Sequence, residues 1–203
     1  MNKPFLYYTD FIVKNTSQNC EGNEIINNIQ CIRSYLIASE INMTVNAMAA
    51  IISASAIVAG LNPNKISTAW HYIMAQDGPV FIESYGLWQV DTWGATPDVD
   101  TQIDNLIYTL STGIGYTAQD DGNTTLLQFL SSYNTTNLSL IFIKNYTLSG
   151  SLHNQSYWQD AAWLNSCMRN YAQILDFINN NPPKYNPKAL AILLKKRKRR
   201  WYK

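Results

Sequence analysis

The chain predicts an α+β fold in which helices dominate, with a buried central helix and a small β-hairpin region beside it. Three observations predict this class. Val45 to Ala59 is apolar nearly all the way round, the pattern of a helix with neighbours on every side. Amphipathic spacing recurs before and after it. Residues 64–95 change character, with aromatic residues alternating with polar ones around Asp77-Gly78-Pro79, a strong turn signal. The order is helix, buried helix, aromatic hairpin, then about four more helices, which is a helix-rich α+β arrangement.

Each element has its own warrant. Glu24 to Ser39 places Ile25, Ile26, Ile29, Ile32, Leu36 and Ile37 at mixed three- and four-residue spacings, an amphipathic helix. Asn42 to Thr44 offers an N-cap for the central helix. Gly60 can supply its left-handed end, and Pro63 bars continuation. An irregular hairpin over 64–95 carries Trp70, Tyr72, Phe81, Tyr85, Trp88 and Trp93. Pro97-Asp98 opens a helix to Leu110 with acids in its first turn, which suits the helix dipole. Gly113, Gly115 and Asp120-Asp121-Gly122 form a loop. Thr124 to Ser132 and Thr136 to Tyr146 read as short helices. Ser156 to Asn179 reads as a long one, with Trp158, Ala162, Trp163, Cys167, Tyr171, Ile174 and Ile178 along one face, ended by Pro182-Pro183. These elements divide the chain into an N-terminal arm (1–22), a helical domain (23–181) and a C-terminal tail (182–203).

At 203 residues, 46% hydrophobic and 14% charged, the chain has enough apolar material for a core. The formal net charge of +1 hides an asymmetry. Lys195, Lys196, Arg197, Lys198, Arg199, Arg200 and Lys203 are seven of the 15 basic residues, and no acid follows Asp176. Residues 1–194 therefore hold eight basic residues against 14 acidic ones. A mildly acidic globule carries a basic tail. Such a tail can touch nucleic-acid phosphates, dock in an acidic groove of a partner protein, or remain solvated. Trp201 and Tyr202 add stacking surface to it.

Cys20, Cys31 and Cys167 show no C-x-x-C spacing, and their odd number argues against a disulfide scaffold; buried thiols are expected. His71 and His153, the only histidines, lack ligand neighbours at metal-binding spacing, so no metal site is expected. No phosphate loop or other cofactor motif is present, and no cofactor is expected. No run reaches the roughly 20 apolar residues of a membrane span. The first residues read as too polar for a signal peptide. Seven N-x-[ST] sequons, Asn145 among them, fit an Asn- and Thr-rich composition rather than glycan attachment.

Four segments, in order, carry a family resemblance. They are Ile32–Ala38 (IRSYLIA), Thr44–Pro63 with Asn46-Ala47 at its start and Gly60-Leu61-Asn62-Pro63 at its end, Ser84–Gln89 (SYGLWQ), and Leu138–Tyr146 followed by Asn165–Tyr171. Together they resemble the tail-associated lysozyme domain of bacteriophages, over roughly residues 28–178. The resemblance implies a lysozyme-like fold that cuts peptidoglycan, sited in the virion at the tail tip, the knob or the internal core. It implies manufacture in the host cytoplasm without a signal peptide. Its expected partners are other phage tail or core proteins, with peptidoglycan, and viral DNA through the basic tail, as further candidates.

The departure lies at the chemistry. The family expects Glu-Ser just before the Gly-x-Asn-Pro stop. Those positions here are Val58 and Ala59, and a second acid expected nearby falls on Ala56. Between Glu40 and Asp77 there is no other acidic residue. Glycoside hydrolysis needs a proton delivered to a poor leaving group. General-acid help is worth ~10²–10⁴-fold, or about 3–5 kcal/mol of barrier, and valine has no proton to give. The chain therefore reads as a virion protein that has lost hydrolysis and acts as a structural or wall-engaging part.

Two other readings stand beside it. An active glycosidase would need a relocated acid, and Glu83 with Asp91, flanking the Gly-Leu-Trp-Gln turn, is the one pair available; both also read as solvated hairpin residues. A non-cutting glycan-binding module would stack sugars on Tyr85, Trp88 and Trp93 and read them with Gln89. The same aromatic residues also read as a hairpin core. Ala56 and Val58 suit a dry helix interior, with any former cleft filled.

Overall fold

A computed structural model describes residues 20–75, 78–91, 98–118, 123–133, 137–147 and 161–183. The elements in chain order are α1 (Asn23–Ala38), α2 (Val45–Ala59), β1 (Ile66–Ala75), β2 (Gly78–Tyr85), β3 (Val90–Asp91), α3 (Val99–Thr112), α4 (Leu126–Leu130), α5 (Leu138–Tyr146) and α6 (Ala161–Asn180). The described fold is mostly helical, with one three-stranded antiparallel sheet in the order β1-β2-β3. The arm before Cys20 and the tail beyond Pro183, including Lys195 to Arg200, lie outside the described residues. So do Trp93, His153 and Trp158.

Helix α2 is the centre. Ala47 to Ser55 and Ala59 are buried, and α1, α4, α5 and α6 all pack on it. Small side chains make this possible: Ala47, Ala49, Ala50, Ser53 and Ala54 let neighbouring backbones come close, while Ile51 and Ile52 fill the spaces between. Full burial of each isoleucine contributes about 1.5–3 kcal/mol. Both ends are fixed by local chemistry. Thr44 Oγ1 accepts from Ala47 N–H at 3.1 Å and donates to the Ser132 carbonyl at 2.6 Å. The Thr44 N–H reaches the Leu130 carbonyl, so one residue caps α2 and ties it to the end of α4. At the other end Gly60 turns left-handed (φ 60°) and its N–H closes on Ala56.

The remaining helices differ from expectation mainly at their ends. Helix α1 begins and ends one residue earlier than its apolar spacing suggested. Asp98 caps α3 through Thr101 N–H at 2.8 Å, and the helix runs on to Thr112, beyond the expected Leu110, until Gly113 adopts φ 79°. Helix α4 is shorter than expected. Thr125 and Gln128 form a reciprocal capping box that sets its start. Helix α5 starts at Leu138, two residues after Thr136. Along α6, Cys167, Tyr171, Ile174 and Ile178 are buried as expected, but Ala162 is exposed and Trp163 only half-buried. The first turn of α6 lies at the rim of the core.

The hairpin is more regular than the irregular region expected. β1 and β2 pair from Ile66 opposite Tyr85 to Ala75 opposite Gly78, with one irregularity between Ala69 and Ile73. Asp77, the first residue of the expected turn, lies outside the described residues, as does Gln76. Between the Ala69 and Ile73 pairs β1 carries three residues (70–72) where β2 carries one (81), and a local bulge absorbs the mismatch in length.

Candidate functional site

The stop of α2 and the turn between β2 and β3 meet in a polar network. Gln102, from α3, joins them: its Nε2 donates to the Pro63 carbonyl at 2.8 Å and its Oε1 accepts from Leu87 N–H at 2.8 Å. The Gly86 N–H donates to the Lys65 carbonyl at 2.8 Å. Gln89 Nε2 donates to the carbonyls of Lys65 (3.0 Å) and Gly86 (2.8 Å), while its Oε1 accepts from Ser84 Oγ at 3.2 Å. Asn62 Oδ1 accepts from Asn64 N–H at 2.9 Å. On the far side Asn28 Nδ2 donates to the Leu61 carbonyl at 2.9 Å. Three separate chain segments are thus locked by amide side chains. Gln89 holds φ 50°, a costly conformation for a non-glycine residue, and the bonds of its own side chain offset that cost.

This geometry corrects two expected sugar contacts. Trp88 is 1% exposed. Its Nε1–H donates to the Ile51 carbonyl of α2 at 3.0 Å, and its ring meets Tyr146 edge-on with centroids 6.5 Å apart. It is a core anchor, since an indole buried with its donor satisfied has no face left for a ligand. Gln89 is 2% exposed with its amide bonded to the turn; it braces the backbone instead of reading a substrate. Tyr85 alone of the described aromatic candidates is half-buried, at the rim.

The acidic pair fares no better as a unit. Glu83 stands opposite Thr68 in the β1–β2 ladder, and Asp91 stands opposite Ser84 in the β2–β3 ladder. Adjacent strand positions alternate faces, so the register does not place the Glu83 and Asp91 positions on one face of the sheet.

The end of α2, where the resemblance expects an acid, is also not as dry as expected. Ala56, Ile57 and Val58 are half-buried, in contrast to the sealed run 47–55. The full burial read from their apolar character is therefore corrected: in the last turn of α2 the side chains reach the edge of the core. An acid there would sit at the negative end of the helix dipole with apolar neighbours, and both features raise a carboxyl pKa. Val58 carries no titrating group.

The residues that sequence reasoning missed are Gln102, Ser84 and Tyr146. Gln102 carries no local motif; only its contact across 39 residues with Pro63 gives it a role. Tyr146 belongs to an aromatic chain with Phe142 (5.0 Å), Phe129 and Tyr116 that backs Trp88. Burial pushes the Tyr146 phenol above its ordinary range, an effect partly offset by a bond to Thr109. The three cysteines are buried thiols, as expected. Asn145 is buried and donates to Tyr116 Oη at 3.0 Å, so its sequon is internal. No group of histidine, cysteine or acidic residues among the described residues could hold a metal ion, and no described helix is long and apolar enough to cross a membrane. No family model matches the chain, and no curated protein matches it either.

Proposed function

We propose that this chain is a bacteriophage virion protein on a lysozyme-like domain whose hydrolytic acid is absent, serving as a structural or wall-engaging part of the tail or internal core. One observation carries the reading. The last turn of the central helix, at Ala56 to Val58, reaches the edge of the core beside a braced Gly60–Pro63 stop and Gly86–Gln89 turn. On this reading the last turn is where a general acid would stand, and valine stands in its place. Binding and assembly are open to such a domain, because they need shape and hydrogen bonds but no proton donor. The basic run Lys195–Arg200 supplies a contact for an acidic partner or for viral DNA.

The relocated-acid alternative is weakened by the register of Glu83 and Asp91. The glycan-binding alternative loses Trp88 and Gln89 and retains Tyr85 and Trp93. One assay separates the cutting from the non-cutting readings. Purified protein, Val58→Glu and Glu83→Gln are added to host peptidoglycan, and turbidity and sedimentation are followed. The proposed reading expects no clearing by the unmodified protein. Clearing that disappears in Glu83→Gln would replace it with an active glycosidase. Sedimentation with the wall, without clearing, would narrow the role to wall engagement through glycan binding, and neither clearing nor sedimentation would narrow it to a structural part. Deletion of residues 195–203 is expected to abolish incorporation into particles, and normal incorporation would remove the tail from the reading.

A further inference from the structure

The apolar surface left outside the core gathers at α4. Among the described residues, Tyr133 (80% exposed) and Leu127 (77%) are the most exposed large apolar side chains, and Ile114 and Val45 are exposed as well. Contacts through α4 bring these positions together. Thr44 bonds to the Leu130 carbonyl through its N–H (2.9 Å) and to the Ser132 carbonyl through its hydroxyl (2.6 Å), so Val45 and Tyr133 flank one junction. The Leu127 carbonyl accepts from the Ser131 N–H at 3.0 Å, one turn before that junction. Tyr116, two residues beyond Ile114, sets its ring against Phe129 of α4, with centroids 6.2 Å apart. The support is well packed. Phe129 is fully buried and stacks on Phe142 at 5.2 Å, and Thr125 with Gln128 caps the helix. Exposed apolar groups gathered on such a support mark an interaction site.

Charge selects the occupant. The segments that supply this face, residues 41–48, 105–118 and 123–143, contain no aspartate, glutamate, lysine, arginine or histidine. Their exposed polar side chains, such as Gln128, Ser131 and Asn137, are amides and hydroxyls. Nucleic acid needs cations against its phosphates, and an amphipathic membrane surface sets lysine or arginine beside its apolar groups; this face offers neither. A charged protein partner is recognised by opposite charge. Identical copies set a different demand. Near a two-fold axis each charge meets its like, so a neutral face is complementary to itself. Depletion of charge around an exposed tyrosine is also the composition of an interface centre. We infer that the α4 face is a homotypic interface, on which a second copy of this chain docks about a two-fold axis with Leu127 and Tyr133 at the apolar centre. Such pairing is independent of any enzymatic or virion role.

Sedimentation velocity of the full chain, at low and high salt, tests it. The unmodified protein is expected to pass from monomer to dimer as its concentration rises from about 1 μM to about 1 mM, the span of moderate to weak affinity. Leu127→Ser combined with Tyr133→Ser removes the apolar groups, keeps the face neutral and is expected to weaken the dimer at least ten-fold. Ile26→Ser, at an exposed apolar residue near the start of α1, is expected to leave it unchanged. Higher salt is expected to keep or strengthen the dimer, because apolar burial and not charge holds it. A protein that stays monomeric throughout would overturn the homotypic interface and leave the face to a glycan or a different protein. A dimer that survives the double variant would overturn it too. One that dissolves in salt would place the contact on the basic run Lys195–Arg200 instead. Thermal melts that match the unmodified monomer show that the variants are folded; if the double variant is not, Leu127→Gln alone decides.

Discussion

A Cβ placed on Gly86 would stand 2.3 Å from Oε1 of Gln102, the oxygen that accepts the Leu87 N–H. Gly86 also holds φ 78°. Two independent requirements therefore select glycine at one position: a left-handed backbone and an approach too close for any side chain. The stop of the central helix and the hairpin turn are joined through this contact.

Gly86→Ala is expected to lower stability by about 2–4 kcal/mol, from backbone strain together with displacement of the Gln102 amide. Gln102→Ala is expected to lose about 1–3 kcal/mol, because it leaves Leu87 N–H and the Pro63 carbonyl without their partner. The double variant should lose less than the sum, since the alanine methyl no longer meets Oε1. Denaturant midpoints of the four proteins measure this; strict additivity would show that the two residues do not interact.

The exposure gradient along α2 makes a second prediction. Ala54→Glu places a carboxyl in a sealed position and is expected to lose about 4 kcal/mol or more, or not to fold. Val58→Glu places it at the edge of the core and is expected to fold with a loss of about 1–2 kcal/mol. The helix end and the apolar neighbours raise the pKa of the introduced carboxyl above its unfolded value of about 4.3. The folded state then holds the proton more tightly, so the loss relative to the unmodified protein grows as pH rises through that window and fades below it. Thermal melts across pH 3–8 check the sign.

Alkaline pH should unfold the protein through its buried acids. Burial pushes the Cys167 thiol from 9.0 up to about 12, and burial also raises Tyr146 and Tyr171. Above pH 9 the unfolded chain releases the thiol proton while the folded chain keeps it. The unfolded state is therefore favoured, and stability falls progressively between 9 and about 12. Cys167→Ala should show a shallower decline in stability over this range. A thiol reagent at pH 8 should modify none of Cys20, Cys31 and Cys167 until denaturant is added; rapid labelling of the native protein would contradict their burial.

Two hydroxyls in the central helix stabilise nothing that is visible among the described residues. Ser53 Oγ and Ser55 Oγ are buried without a hydrogen-bond partner. Removing an unsatisfied buried polar group is neutral or favourable, whereas removing a satisfied cap is not. Ser53→Ala is expected to leave stability unchanged or raise it by about 1 kcal/mol, and Thr44→Ala to lower it by about 1 kcal/mol. Calorimetric midpoints of the two variants should move in opposite directions or differ by that margin.

Local chemistry made much of this fold readable. Thr44, the unbroken apolar run and Gly60 define α2 to the residue, because caps and burial on all sides are written in consecutive positions. The hairpin was readable as a hairpin, since alternation and turn residues are also local. The site was read less well. Trp88 and Gln89 have the composition of a sugar-binding surface, and nothing beside them in the chain reveals that Ile51, 37 residues away, claims the indole. Gln102 has no signal at all until α3 is laid against the stop of α2.

By itself, then, the sequence determined the helices, their caps, the strand alternation and the absence of an acid at Val58. These depend on neighbours within a few residues, where propensity and hydrogen-bonding rules act directly. Only the tertiary structure decided that the aromatic turn faces inward, that the Glu83 and Asp91 positions do not share a face, and that Val58 lies at the rim. Those outcomes depend on which distant carbonyl meets which donor and on how strand register divides the two faces, and both are set by the packing of whole elements against α2.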